Sequence, residues 1–574
     1  MRRRIALILL AVACALVAAG PANAADGPRD DRGASASGGP SGSLRVVLLG
    51  LRSDQSGLTH FVRTVTRPGS RRYGRYLGPR RLRHRFGASR RVRRKVLGFL
   101  RSSAGIEQVS LSATGSVVMV VAEVAAAEQL FCATGLRPPG KDVCVPAPLR
   151  GVVRQVSAGE TYNPGPPARQ ASAGAAAIER TGTPKGCNDG VGTGSFTPNQ
   201  LNTAYGTDEL NRRGLRGQGQ RAVVLSSAFV DESAFATWAA CFGLPAPRFE
   251  QTPMPGGTRD SSTGPDETYL DVEALSTVAP KLSRITAIFV PLDLSFENSF
   301  PLFLFGALDR DRQGGRLPDV LSISDGVCEP EFTPDELRIS ETMLRSAAAL
   351  GITSMAASGD LGFLGCDDGS SAASYPASSR YVTGVGGTEL TLKTDNRIAE
   401  QVVWSTFSQD PNQGGGSGGG PSSVYGRPGF QNAPGIRRSL QPGKPRRLTP
   451  DIASMGSFTP GIVNFGGGMG WTGGGGTSAA TPLAAALVAL VNQQEDAAGR
   501  PPLGMLNPAL YRLARGGQYG SIFSDVVKGT NSPQPNTPLG RSPAGGAAQR
   551  GYDLSTGLGS LHGPKFARAV RASR

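Results

Sequence analysis

The sequence predicts an α/β protein, with a large domain built on a parallel sheet flanked by helices and a smaller α/β unit in front of it. Three stretches carry this expectation. The apolar run in Gly351-Ile-Thr-Ser-Met-Ala-Ala-Ser-Gly-Asp360 reads as a buried strand opening into a loop at its carboxyl end, the edge where open α/β sheets build their sites. Pro265 and Pro280 bracket a segment with Leu270, Leu275 and Val278 along one side, which suits a helix with a proline in its first turn and another as its stop. A glycine-rich loop, Gly473–Gly476, runs into the apolar helical stretch Leu483-Ala-Ala-Ala-Leu487.

Taken in order, residues 1–24 carry Arg2-Arg-Arg4, an apolar run and Ala22-Asn-Ala24, the pattern of a secretory signal too short to span a bilayer. Cys14 follows Ala-Val-Ala, a poor match to a lipid-anchor site. Residues 25–42 are Gly, Ser, Asp and Arg without core formers and read as a disordered spacer. Residues 43–160 form the smaller unit, with strands at Leu44–Leu49 and Val117–Val121 and helices at His60–Val65 and Val92–Leu100. Residues 161–190 include a Pro, Ala and Gly linker (Tyr162 to Gly186) that suits a processing site in an accessible hinge. Residues 191–574 supply the large domain, ample for one core. No later stretch is long and apolar enough to cross a membrane, so the expected product is secreted, extracellular, free of stable membrane association and monomeric.

The 574 residues carry a formal net charge of +17, which invites a nucleic-acid partner. Much of the excess lies in Arg71–Lys95, where no nucleic-acid motif is present. No nucleic-acid partner is therefore expected. Solvated arginines, some facing an acidic cleft, are the alternative.

Ser478 stands where the glycine-rich loop meets the helix, in Gly475-Gly-Thr-Ser-Ala-Ala-Thr-Pro482. Small residues let a substrate backbone approach, and the positive end of a helix favours negative charge developing nearby. The same residues also fit an N-cap. A serine nucleophile needs a base, yet the chain has only His60, His84 and His562. The first two fall in the N-terminal unit, and His562 sits among glycines as a turn residue would. A carboxylate is the remaining candidate. Glu267 and Asp271 are four apart, so a helix stacks them on one face, and two adjacent carboxyls push their titrations apart. A solvated acidic face fits the same spacing, as an ordinary turn fits Asp360.

These three segments, in the order Glu-x-x-x-Asp, Ser-Gly-Asp and Gly-Thr-Ser-Ala-x-x-Pro, resemble the active-site signature of the sedolisin–kumamolisin family of serine-carboxyl peptidases. Further segments match in order: Thr197-Pro-Asn-Gln-Leu-Asn-Thr-Ala-Tyr-Gly206, Val403-Trp404, Gly418-Gly-Gly-Pro-Ser422 and Arg447-Leu-Thr-Pro-Asp-Ile-Ala453. Arg67-Pro-Gly-Ser-Arg-Arg-Tyr-Gly-Arg-Tyr-Leu77 with Phe86-Gly-Ala88 resembles the family's activation propeptide. The resemblance implies a subtilisin-like catalytic domain behind a ferredoxin-like propeptide that assists folding and acts as intramolecular inhibitor. It makes Ser478 the nucleophile and Glu267 the general base and acid. Asp271 orients Glu267 and shares its proton, and Asp360, protonated, donates in the oxyanion hole. The implied activity is acid-acting endopeptidase cleavage of protein or peptide substrates, or release of tripeptides from free N-termini.

The resemblance also implies one structural Ca²⁺. Asp525 and Asp553 would give carboxylate oxygens, and Val526, Gln549 and Gly551 backbone carbonyls, a hard-oxygen set suited to that ion. Gln549 stands where the family usually has glycine. Without Cys14, six cysteines remain, an even number in an exported chain. Cys328–Cys366 resembles a bridge of some family members, while Cys132–Cys144 and Cys187–Cys241 follow from proximity and order. Asp325, between Ser324 and Gly326 at the end of a strand expected to pair with bound peptide, replaces the family's apolar or aromatic residue and implies an altered subsite preference. A subtilisin-type protease using His562 and a non-catalytic secreted binding protein are the competing readings.

Overall fold

Strands that read as unbroken apolar runs are those covered on both faces, and here they form the middle of a parallel sheet. The computed structural model describes residues 44–132, 144–158, 180–226, 229–246, 248–255, 266–290, 296–363, 365–366, 372–407, 415–436, 443–466, 468–532 and 546–573, with backbone only at 266 and 296–298. The expected signal peptide, the spacer and most of the linker lie outside them.

The N-terminal unit contains β1 (Leu44–Leu51), α1 (Gln55–Val65), α2 (Pro79–Phe86), α3 (Arg90–Arg101), β2 (Ile106–Leu111), β3 (Val117–Glu123), α4 (Val124–Phe131) and β4 (Val153–Ala158). Its sheet runs β2-β3-β1-β4 with every neighbour antiparallel, the order of a ferredoxin-like unit. Asp54 and Ser89 cap α1 and α3, accepting from Gly57 N and Val92 N.

The large unit contains β5 (Arg221–Ser226), β6 (Phe249–Pro253), α5 (Asp266–Val278), β7 (Arg284–Phe289), α6 (Phe296–Ala307) and β8 (Val320–Ile323). There follow α7 (Pro334–Leu350), β9 (Thr353–Ala357), β10 (Val382–Leu392), β11 (Ile398–Val403), β12 (Ile452–Met455) and α8 (Gly476–Ala497). The sheet order is β11-β10-β9-β8-β5-β7-β6, with β12 also on β10. Only the β10–β11 pair is antiparallel. The chain builds β6 and β7 on one side of β5, then crosses to β8 on the other. The switch point between β5 and β8 is where such sheets open a crevice at their carboxyl ends.

One face of the sheet is covered by α5 and α8, whose Leu270, Leu275, Leu483 and Leu487 share a core with Val224, Val320 and Met355. The other is covered by α6 and α7, and the N-terminal unit seals α7 from outside. Phe61, Val62 and Val65 of α1 lie in one apolar cluster with Leu344, Ala347 and Ala348. Polar contacts fasten the same interface: Val156 N donates to Asp335 Oδ2 at 3.1 Å, Arg345 to Gln55 Oε1 at 2.8 Å, and Tyr76 OH to Leu503 O at 2.8 Å.

The basic stretch is solvated as expected but does not face an acidic surface of the large unit. Ten of its cations, from Arg71 to Lys95, are exposed, and among the described residues none in that stretch pairs with a carboxylate of the large unit. Arg85 instead lies over the Phe61 and Phe86 rings at 5.4 and 4.9 Å. Apolar packing and the hydrogen bonds above hold this interface, because the arginines sit on the helix faces turned to water.

Candidate active site

Ser478 lies half-buried in the first turn of α8. The loop before it is glycine for a steric reason. Gly476 has φ +77°, and a Cβ there would come 2.5 Å from Asp360 Oδ2. That close approach brings the Ser-Gly-Asp loop, at the carboxyl end of β9, against the helix start. Asp360 Oδ1 accepts from Thr477 N at 2.8 Å and from Thr477 Oγ1 at 2.7 Å, one residue before Ser478. Burial raises the Asp360 carboxyl above its usual range, against the lowering effect of the two Thr477 bonds.

The second carboxyl group arrives on α5, which packs along α8. Asp271 is fully buried. Its Oδ1 accepts from Ser324 Oγ at 2.5 Å, and that same hydroxyl stands 3.3 Å from the carbonyl oxygen of Ser478. The carbonyl is open to this contact because of Pro482. Four residues further along α8, a proline has no N–H to donate back to Ser478 O. Burial first, and the Glu267 carboxyl second, lift Asp271 well above the usual carboxylate range; Asp325 adds to the rise and the Ser324 hydroxyl opposes it. Glu267 is half-buried one turn before Asp271 on the same helix. The sequence-derived residues thus fall in two linked groups, Asp360–Thr477–Ser478 and Glu267–Asp271–Ser324–Ser478. Ser324 and Thr477 were not singled out by sequence; their position inside the motifs Ser-Ile-Ser-Asp-Gly and Gly-Thr-Ser-Ala was the available signal.

The family described as pro-kumamolisin, activation domain, matches residues 33–136. Kumamolisin of Bacillus sp. (strain MN-32) is 33% identical over 387 residues, covering 66% of this chain and 64% of that protein. Tripeptidyl-peptidase 1 of Bos taurus is 32% identical over 267 residues, 44% of this chain and 43% of that protein. Pseudomonas sedolisin, a serine-carboxyl proteinase solved with two molecules of pseudo-iodotyrostatin, superposes with a TM-score of 0.55 at 23% identity, over 68% of this chain and 99% of that one. The last likeness is one of fold. The chain is similar to the sedolisin–kumamolisin family in sequence and in fold. The matched part spans just under two thirds of kumamolisin and less than half of the tripeptidyl-peptidase.

His562 lies away from the serine. Its ring is against Gly206, and the adjoining Gly563 abuts Leu487, which is nine residues, roughly 13 Å of helix, beyond Ser478. Burial lowers the His562 imidazole below its usual pKa.

The two C-terminal segments come together through the pairs Phe523–Leu561 and Ser524–Ser560. Asp525 Oδ2 accepts from Gly551 N at 3.0 Å and Asp553 Oδ2 from Gln549 N at 3.4 Å, so both carboxylates meet one short loop. Gln549 is not among the described non-glycine residues with positive φ, which are Cys132 and Asn396; a glycine is not required at 549. Its side chain donates to Gly435 O and Tyr552 O. No group of three or more His, Cys, Asp or Glu side chains gathers among the described residues, so an ion here would rest on two carboxylates and main-chain carbonyls. That donor set fits a hard cation.

The three disulfides are Cys132–Cys144, Cys187–Cys241 and Cys328–Cys366, with Cα separations of 5.3, 4.9 and 5.2 Å. The last ties the segment after Ser324-Asp325-Gly326 to the loop after Asp360.

Proposed function

We propose that this protein is a secreted serine-carboxyl endopeptidase, made as a zymogen, that cuts peptide bonds in acidic solution. The observation that carries the reading is the hydroxyl of Ser324 between Asp271 and the Ser478 main chain, which joins the carboxyl helix to the serine helix. Glu267 takes the Ser478 Oγ proton as that oxygen attacks the scissile carbonyl carbon. Asp271, kept neutral by burial, shares the proton and holds Glu267 in place. Asp360 acts as a neutral acid that donates to the carbonyl oxygen as it becomes an oxyanion, which a carboxylate could not do. Glu267 then passes its proton to the leaving amine, and water hydrolyses the acyl-enzyme by the same route reversed.

The N-terminal unit is the inhibitor in this reading, supported by its match to an activation domain and its seal over α7. Asp525, Asp553 and the carbonyls of Val526, Gln549 and Gly551 would hold one structural Ca²⁺. When bound, the ion would neutralise two carboxylates and tie the C-terminal segments together. Release of tripeptides from free N-termini is the second reading, favoured by the similarity to tripeptidyl-peptidase 1.

The test is a pH profile of casein cleavage after acid activation, run beside Ser478→Ala, Glu267→Ala and His562→Ala. Activity near about pH 4 that survives only the histidine change is the expected result. Activity that persists without Glu267 but disappears without His562 overturns the carboxyl mechanism.

A further inference from the structure

Asp325 is a carboxyl without an assigned partner. It follows Ser324 directly, where the chain leaves the carboxyl end of β8 at the switch point of the sheet. Ser324 is buried against Asp271 and the Ser478 carbonyl; Asp325 is half-buried and Gly326 is exposed, so the segment reaches the surface within two residues of the serine. Gly326 packs close to the Tyr375 main chain, where an added Cβ would come 3.0 Å from Tyr375 O. Among the described residues the Asp325 carboxyl makes no hydrogen bond and no ion pair. The titratable neighbour it acts on is another acid, Asp271, on the α5 helix.

A half-buried carboxylate with a second acid beside it and no cation is unfavourable in the free protein. A ligand that brings a positive charge to it removes that cost. We propose that Asp325 is a specificity-determining residue that receives a cationic group of the peptide substrate, close to the bond that Ser478 attacks. This rests on the peptidase reading and names its substrate class. The cation is an ammonium or guanidinium, from a lysine or arginine side chain or from the peptide's free N-terminus. Burial pushes the Asp325 carboxyl up to about 6, and an arriving cation draws it back down, so the charge pair forms in mildly acid solution as well.

The experiment uses the full chain after acid processing, at about pH 5, against matched peptides that place lysine, arginine or norleucine at each position around the cut. Each peptide is made with a free and with an acetylated N-terminus. The expected result is a kcat/KM ratio of about tenfold in favour of the cation at one position, falling towards unity in Asp325→Asn and in Asp325→Leu. Preference that follows lysine or arginine in acetylated peptides identifies a side-chain subsite. Preference that vanishes on acetylation identifies an N-terminal anchor and the tripeptide-releasing mode. Equal cleavage of cationic and norleucine peptides by the unmodified chain overturns the proposal, as does a preference retained in Asp325→Asn. A processed chain that cuts no peptide overturns the peptidase reading and this one with it, whereas turnover without discrimination overturns this one alone.

Discussion

Thr477 gives both its main-chain N–H and its hydroxyl to one oxygen of Asp360, at 2.8 and 2.7 Å. Two donors on Oδ1 leave Oδ2 as the oxygen that carries the proton when the group is neutral, and Oδ2 is the one that faces the start of the α8 helix across Gly476. In the proposed mechanism the threonine therefore fixes which oxygen donates. Asp360→Ala is expected to lose about 10²–10³-fold in kcat, because the oxyanion loses its side-chain donor. Asp360→Asn keeps a donor and should retain at least about tenfold more activity than the alanine variant. Equal activity of the two variants in a steady-state assay contradicts this role.

Ser324 supplies the corresponding contact on the carboxyl side. Its hydroxyl lowers the Asp271 pKa against burial and Glu267. Ser324→Ala removes that opposition, so Asp271 should hold its proton to still higher pH, and the alkaline limb of the activity profile should move upward. A loss of about tenfold in kcat/KM accompanies it, the cost of one hydrogen bond to a buried carboxyl. A profile that keeps its shape in the variant contradicts the link.

Much of the site was legible because its constraints are local. Gly476 is dictated by a left-handed backbone and a close carboxyl, Pro482 by a carbonyl left open, and the four-residue spacing of Glu267 and Asp271 by the helix repeat. Strands β9 and β3 announced themselves as apolar runs. Ser324 did not, since its role depends on how the end of β8 registers under α5, a tertiary relation that no spacing encodes. The half-buried β2 strand, Ile106–Leu111, also escaped, because an edge strand with mixed exposure has neither an apolar run nor clean alternation. The arginines of 71–95 are solvated as expected but do not face carboxylates of the large unit: composition reports charge, and only packing decides which face meets water.

Acid should stabilise this fold over the weakly acidic range. The carboxyls of Asp271, Glu273, Asp360 and Asp325 are all raised by burial, the last to about 6. A folded-state pKa above the unfolded one gives stability that is fully present below the unfolded value and lost as pH rises through the folded value. For Asp325 alone the window runs from the ordinary Asp value of 3.8 to about 6, and half burial keeps its share to at most about 3 kcal/mol. The melting temperature followed by calorimetry should therefore rise as pH falls from about 7 to about 4. Asp325→Asn should flatten that slope; an unchanged slope contradicts the assignment.

The N-terminal unit is anchored by a ring in a socket of two glycines. Tyr76 lies where a Cβ on Gly351 would come 2.5 Å from its Cδ2, a Cβ on Gly504 would collide with its hydroxyl, and Leu77 N bonds Ala349 O at 3.0 Å. Gly351 and Gly504 have φ of +84° and +62°, so side chains there are strained as well as obstructed. Tyr76→Ala leaves the socket empty and should weaken docking by about 10–100-fold. The readout is conversion to the processed form over time, followed on gels, which should run faster and begin at higher pH than in the unmodified chain. Unaltered processing shows the anchor to be dispensable.

Two buried or half-buried carboxylates that meet at one short loop imply a cost that a cation would relieve. Asp525 and Asp553 have only neutral N–H and O–H donors as hydrogen-bond partners among the described residues, from Tyr519, Gly551, Gln549, Ser555 and Thr556. Such donors satisfy lone pairs but not charge. With a hard cation bound, the folded state gains by mass action, about 2.7 kcal/mol at one hundred times the dissociation constant. Chelation should therefore lower the melting temperature by several degrees, and added Ca²⁺ should restore it. Asp525→Asn should start at the lowered value and respond to neither treatment. Because the ion would lie among the C-terminal segments and not against Ser478, chelation at a temperature where the fold persists should leave the pH profile of cleavage unmoved. A profile that shifts on chelation would place the cation in the chemistry, against the structural role assigned to it.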